Sequence, residues 1–298
     1  MAKKLQTLPT IKDVKTAQQR IAPYLSVTPL LHSPLFDKKY GVATYLKADS
    51  CTPTGSFKFR GALNAISCLD DKQRRQGIVA FSTGNHAQAA AYAASLLNIP
   101  AIIIMPNTAP TIKIENTRSF GAEVVLFDQA TQCREALAKY YVEEQEKTLI
   151  PPYDDFNVIA GQGVSGLECC SQLQALGISP EQFYLPISGG GYVAGFSLAK
   201  SQYFPSSELI GVEDGISAPW LTSLKNKVCT PVPSNGQSIC DAIMPPNPRP
   251  GVLPWQMLKD KLTRVETITN EDALIGMACA MKYFGIIAEK YTGDRKST

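Results

Sequence analysis

The sequence predicts an α/β fold in which mostly parallel sheets are covered on both faces by helices. Three observations carry this. Strand-like and helix-like segments alternate along the chain. The strand-like segments are short, continuous apolar runs, the pattern of strands buried on both faces between helical layers. Two of them end in polar, glycine-bearing turns that lead into helices, an arrangement that gathers backbone N–H groups at a helix N-terminus.

In order, residues 77–83 (GIVAFST) read as a strand and 86–98 (HAQAAAYAASLLN) as an alanine-rich helix. AIIIMP (101–106) is a strand, TIKIENTRSF (111–120) a helix, AEVVLF (122–127) a strand and ATQCREALAKYYVEEQE (130–146) a helix. Further on come the strand FYLPI (183–187), a glycine turn, a helix from about Val193 and the strand ELIGVE (208–213). Residues 230–254, rich in Pro and Asn, read as a long surface excursion rather than a linker.

Composition narrows the function classes. The 298 residues are 44% hydrophobic and 18% charged, enough for a sizeable core and two modest domains. A net charge of +3 is too small to indicate nucleic acid or an anionic membrane as partner. No apolar run approaches the ~18 residues of a membrane span, and the start, MAKKLQTLPT, lacks the apolar segment of a secretory signal. The eight cysteines are scattered without a CxxC, and Cys169 and Cys170 are adjacent, which predicts reduced thiols and a cytoplasmic protein. His32 and His86 are the two histidines, and no Cys/His cluster suggests zinc.

Three turns carry candidate chemistry. In the first, Pro53-Thr54-Gly55-Ser56 precedes Phe57-Lys58, and Ser56 is positioned to cap the following helix. A cation there is mildly opposed by the helix dipole, which gives Lys58 a reason to be neutral or to form an imine. A solvated first-turn lysine is the competing reading. In the second, Ser82, Thr83, Gly84, Asn85 and His86 gather N–H groups and side-chain donors at one helix N-terminus, suited to a carboxylate or phosphate; ordinary capping needs only one such residue. In the third, Ser188-Gly189-Gly190-Gly191 follows a strand and opens a helix, a phosphate cradle. A side chain at Gly190 is expected to intrude on the anion's space, weakening ligand binding far more than stability. The same glycines, with Gly195 and with Glu213 ending the next strand, also fit a nicotinamide dinucleotide site, and a tight packing turn is the third reading.

Taken together, PTGSFKFRGA, STGNHAQ and SGGGYVAG, in that order, resemble the fold-type-II pyridoxal phosphate enzymes, most closely the threonine dehydratase and serine racemase group. MPNTAPTIKIENTRSFGAEVVLF, PPYDDFNVIAGQGVSGLE and VTPLLHSPLF agree, so the resemblance runs from about Leu8 to about Glu289. It implies two open parallel-sheet α/β domains of the tryptophan-synthase-β-like kind. Residues 1–76 and 153–298 would form a large cofactor-binding domain, residues 77–152 a small mobile one, in a homodimer. It implies that Lys58 forms the internal aldimine, with Phe57 packed on the pyridine ring and Asn85 bonded to its 3-oxygen. Ser188, Gly189, Gly190 and Gly191 would hold the phosphate with Tyr192 beside it. Ser82, Thr83, His86 and Arg134 would meet the substrate carboxylate. The implied reaction is dehydration and deamination of L-threonine or L-serine to a 2-oxo acid and ammonia, with the freed Lys58 amine taking the Cα proton.

The sequence departs from that pattern in places. Thr83 stands where racemases carry a serine acid/base, which makes racemisation the lesser expectation. Racemases hold a divalent cation between two acids; Glu213 matches one and Pro219 replaces the other, so no metal is expected there. Cys240-Asp241-Ala242 replaces Ala-Asp-Gly. After YFGIIAEKYTG the family continues to a turn that bonds the pyridine nitrogen; this chain ends at DRKST, so that partner is expected to be missing. Four other functions remain: a serine racemase, a β-replacing cysteine-synthase-type enzyme, a nicotinamide oxidoreductase built on Gly189 to Gly195, and a non-catalytic relic. The His86 position argues against the synthase, and the oxidoreductase leaves the first two turns unexplained.

Overall fold

A computed structural model of the chain describes residues 7–82, 84–233, 236, 238–240, 243 and 248–288. The first helix, α1 (Ile11–Ile21), is opened by a reciprocal capping box between Thr10 and Asp13. A two-stranded antiparallel ribbon, β1 (Leu30–His32) and β2 (Tyr45–Lys47), flanks the short α2 (Pro34–Tyr40). Next come α3 (Lys58–Ser67), α4 (Asp71–Gln76), β3 (Ile78–Phe81), α5 (Asn85–Leu96), β4 (Ala101–Pro106), α6 (Thr111–Ser119), β5 (Glu123–Phe127), α7 (Arg134–Glu143) and β6 (Thr148–Leu149). The long α8 (Phe156–Ala175) precedes β7 (Gln182–Pro186), α9 (Gly191–Tyr203), β8 (Glu208–Asp214), α10 (Pro219–Asn226), α11 (Val252–Leu258), β9 (Arg264–Ile268) and α12 (Asn270–Phe284).

The strands form two parallel sheets, ordered β5-β4-β3-β6 and β7-β8-β9. Position in the sheet explains the sequence pattern. Interior β4 is buried at every residue and reads as an unbroken apolar run. Edge strand β7 alternates, with Phe183 and Leu185 inward and Tyr184 exposed. Strands β3, β4, β5, β7 and β8 fall in the apolar runs that the sequence marks as strands; β6 and β9 do not.

Helix α8 is buried along most of its length and is the element on which the site is built. At Gly161 a Cβ would lie 2.6 Å from the Arg60 carbonyl oxygen of α3, and at Gly163 2.9 Å from the Gly195 carbonyl oxygen of α9. These two glycines let α3 and α9 pack backbone-to-backbone on α8. Gly195, a member of the expected dinucleotide pattern, is therefore a packing glycine.

A buried charge cluster lies between these helices. Arg60 donates to Glu168 Oε1 at 2.6 Å, Glu168 Oε2 at 2.9 Å and Asp49 Oδ1 at 3.0 Å, and Lys47 reaches Glu168 at 2.8 Å. Two bases face two acids, which makes their burial tolerable. Burial alone would raise the Asp49 carboxyl; Arg60, the Ser165 hydroxyl, Lys47 and Thr28 outweigh it and hold it below the usual carboxylate range.

None of the eight cysteines, all of which are among the described residues, is in a disulfide. Cys169 and Cys170 are buried on α8, which pushes both thiols up to about 12 and leaves them inert. Among the described residues no helix is long and apolar enough to cross a membrane.

Candidate active site

Lys58 is the first residue of α3. Its ammonium donates to the Pro152 carbonyl oxygen at 2.8 Å and lies 5.3 Å from the centre of the Phe57 ring. Desolvation lowers its pKa from 10.5 to about 8. At pH 7 roughly a tenth of such a lysine is neutral, against about three in ten thousand for an ordinary one. The turn before it differs from expectation in one respect: Ser56 does not cap α3. Its backbone N–H instead donates to Thr52 Oγ1, which bonds back to the Ser56 carbonyl. The Thr54 and Ser56 hydroxyls are buried without a partner.

The second turn leads from β3 into α5. Ser82 Oγ accepts the Gly84 N–H at 3.2 Å, and Asn85 and His86 are buried in the first turn of α5. His86 Nε2 lies 2.8 Å from the Ile150 carbonyl oxygen. A carbonyl only accepts, so Nε2 carries the proton. Desolvation, then the nearby Lys58 charge, lower the ring's pKa to about 4. The neutral ring thus keeps a lone pair on Nδ1 and has no second proton to donate. What His86 offers a carboxylate is its backbone N–H at the N-terminus of α5. Thr83 lies outside the described residues, as do Asp241 and Ala242. Arg134 opens α7, with its guanidinium 5.2 Å from the centre of the Phe81 ring and 2.8 Å from Glu135. It also acts electrostatically on Tyr153.

The third turn joins β7 to α9. Among the described residues, the N–H groups of Ser188, Gly189, Gly190 and Gly191 donate to no protein acceptor. Gly190 has φ +91°, and its missing Cβ would meet the Trp220 ring at 2.4 Å. Trp220 is fully buried and donates its indole N–H to the Ser188 carbonyl oxygen at 2.5 Å. Tyr153 packs against Gly189 and Gly191 from the other side. Tyr192, the next residue, stacks on Phe57 with centroids 4.2 Å apart and planes at 26°.

The segment 150–153 ties these parts together. Ile150 holds His86, Pro152 holds Lys58, and Tyr153 lines the glycine turn. Sequence reasoning did not single out Tyr153, Trp220, Asp49 or Ser165, whose contacts to the three turns come from residues distant in sequence and leave no local motif.

Glu213 is committed elsewhere. Its two oxygens accept the N–H groups of Trp220 and Leu221 at 3.0 and 2.9 Å, at the start of α10. Glu213 is buried with both oxygens turned to the start of α10, an arrangement that caps a helix rather than presents an acid to a ribose. Burial raises its pKa to about 7. The folded state therefore binds a proton that the unfolded chain has lost between about 4.5 and 7, and stability is expected to fall as pH rises through that window. Glu213→Gln keeps one acceptor and no charge. The variant should be less stable at low pH yet flatter across pH 4.5–7 in urea midpoints; an unchanged slope would show that another group titrates.

The residues fit a phosphorylated aldehyde cofactor. Four N–H groups with no acceptor among the described residues, at a helix N-terminus, suit a phosphate, and a lysine with a depressed pKa suits a carbonyl. Comparison with known proteins agrees. Residues 21–294 match the family described as pyridoxal-phosphate dependent enzyme. The chain is 41% identical over 206 residues to an L-threo-3-hydroxyaspartate ammonia-lyase of Saccharomyces cerevisiae, covering 69% of this chain and 62% of that enzyme, so the match spans less than two thirds of the relative. It is 34% identical over 267 residues to a serine racemase of Schizosaccharomyces pombe, covering 90% and 80% of the two chains. The crystal structure of a threonine deaminase from T.th. superposes with a TM-score of 0.88 at 33% identity, covering 96% of this chain and 90% of that one. A desolvated lysine, an anion-binding glycine turn and this match over nearly the whole chain lead to one conclusion: the protein belongs to the pyridoxal-phosphate dependent enzymes of the fold-type-II, two-sheet α/β architecture.

Proposed function

We propose that the protein catalyses the β-elimination of L-threonine or L-serine, releasing a 2-oxo acid and ammonia. The observation that carries this reading is Lys58: a desolvated amine with a pKa of about 8, held by Pro152 between the His86 turn and the glycine turn. The N–H groups of Ser188 to Gly191 hold the cofactor phosphate, and Asn85 lies at the turn facing it. The N–H groups opening α5 bind the substrate carboxylate, with Arg134 contributing charge. Lys58 releases the Pro152 carbonyl, and its neutral amine accepts the proton from the substrate Cα. The cofactor supplies the electron sink that makes this proton acidic. His86, neutral and fixed by Ile150, fills the space beside Lys58 without adding a competing charge.

Residues 77–152 act as the small domain that closes over the substrate, and the segment 150–153 is one of its two crossings to the rest of the chain. A homodimer resident in the cytoplasm belongs to the same proposal; size-exclusion chromatography with light scattering tests the dimer.

The assay is direct. Protein supplied with pyridoxal phosphate should release ammonia and 2-oxo acid from L-threonine or L-serine, and borohydride should leave a reduced adduct on Lys58, read by peptide mass. Absence of that adduct would remove the cofactor role of Lys58. Two relatives direct two further substrates. L-threo-3-hydroxyaspartate should be run in parallel because of the 41% identical yeast enzyme. Chiral chromatography for D-serine tests the racemase reading favoured by the fission-yeast relative; D-serine formed faster than pyruvate would place racemisation first.

A further inference from the structure

Lys58 can condense with an aldehyde only if its backbone lies at a fixed distance from whatever anchors that aldehyde. The lysine is on α3 and the anion-binding turn is on α9. No hydrogen bond joins Lys58 itself to residues 188–191. Both helices pack on α8, and a side-chain link running directly from one to the other bears on the same spacing.

We infer that Tyr192 is a positioning residue that locks Lys58 to the glycine turn, an inference that rests on the cofactor reading above. Tyr192 directly follows Gly191, so its backbone moves with the turn. Its ring stacks on Phe57, the residue before Lys58, at 4.2 Å. Its hydroxyl donates to Asp49 Oδ2 at 3.1 Å, beside Ser165, whose hydroxyl donates to the same oxygen at 2.5 Å. The other Asp49 oxygen is held by Arg60 at 3.0 Å and Thr28 at 2.9 Å. Arg60 is two residues beyond Lys58. The linkage thus closes on α3 from both sides: Phe57 through the stack, Arg60 through Asp49. A residue of α9 thus bears on Phe57 directly and on Arg60 through Asp49, one before Lys58 in the chain and one after it. Burial raises the Tyr192 phenol well above its ordinary value, and Asp49 adds to this, so the hydroxyl stays a donor at every working pH.

Tyr192 touches neither the lysine nitrogen nor, on this reading, the phosphate. Its loss should leave anchoring intact and impair capture. Capture is the condensation in which Lys58 Nζ forms a double bond to the aldehyde carbon and the aldehyde oxygen leaves as water. Borohydride then delivers hydride to that double bond and leaves a stable secondary amine, countable by mass.

The test uses full-length protein and two probes, pyridoxal 5′-phosphate and 4′-deoxypyridoxine 5′-phosphate, which has no aldehyde. In Tyr192→Leu the affinity for the deoxy probe should stay within about twofold of wild type, while the borohydride-trapped fraction at limiting pyridoxal phosphate should fall at least about tenfold, the scale of losing the aromatic stack alone. Tyr192→Phe keeps the stack and should trap at a level between the two. Unchanged trapping in Tyr192→Leu overturns the inference. So does an equal loss of both probes, which would make Tyr192 part of the anchor or of the fold; thermal unfolding of the cofactor-free variants separates those two. Wild-type protein that binds neither probe would overturn the cofactor reading itself, a result distinct from either.

Discussion

Lys58→Met is expected to lower ammonia release by at least about a thousandfold, because it removes both the nucleophile and the base. The same substitution should stabilise the cofactor-free protein at neutral pH. The folded-state pKa of Lys58 is about 8 against 10.5 unfolded. Below pH 8 the lysine is charged in both states, and the folded state carries the full cost of keeping that charge poorly solvated. Between pH 8 and 10.5 the folded state sheds the proton while the unfolded chain retains it, so wild-type stability rises with pH. The advantage of the methionine variant should be largest near pH 7 and shrink towards pH 10. Urea unfolding at both pH values reads the difference. A gap that widens with pH would mean that Lys58 is not held with a depressed pKa.

Gly190→Val should unfold the cofactor-free protein as well as empty its cradle. The sequence suggests that a side chain here obstructs mainly the ligand. The structure corrects this. A Cβ at 190 would meet the Trp220 ring at 2.4 Å and Pro254 at 2.9 Å. Trp220 has little freedom to yield, since its indole is fully buried and bonded to Ser188. Valine also does not tolerate φ +91°. The two effects together cost about 2–6 kcal/mol. The urea midpoint of the cofactor-free variant should drop accordingly; a wild-type midpoint would mean that only the ligand's space is affected.

The apolar run at 101–106 and the alanine-rich stretch after His86 were legible because interior β4 and helix α5 are buried and their sequences are apolar accordingly; the run at 122–127 was legible from its apolar, β-branched composition although β5 is partly exposed. The ribbon of β1 and β2 and the strand β9 were not. The ribbon strands are three residues long, and Arg-Val-Glu-Thr-Ile in β9 alternates charge with apolar residues because it lies at a sheet edge. The Glu213 position read as a candidate ribose ligand, and as a metal-site acid left without its partner by Pro219. Only the placement of α10 over it shows that both oxygens accept backbone N–H groups.

By itself the sequence determined the α/β class, the order of the three turns and the residue types in them: a lysine at a helix start, polar residues at a second, glycines at a third. These depend on contacts between near neighbours, where backbone conformation and capping are local. The tertiary structure decided what each residue can do. It set Lys58 near a pKa of 8 by taking it out of water, and it turned the His86 ring to the Ile150 carbonyl, which fixes the proton on Nε2. It joined Phe57, Tyr192, Asp49 and Arg60, the last pair of which is separated by eleven residues and the stacked pair by well over a hundred. Solvation, proton placement and long-range contacts are properties of what surrounds a side chain, and the surroundings exist only once α3 and α9 have packed on α8.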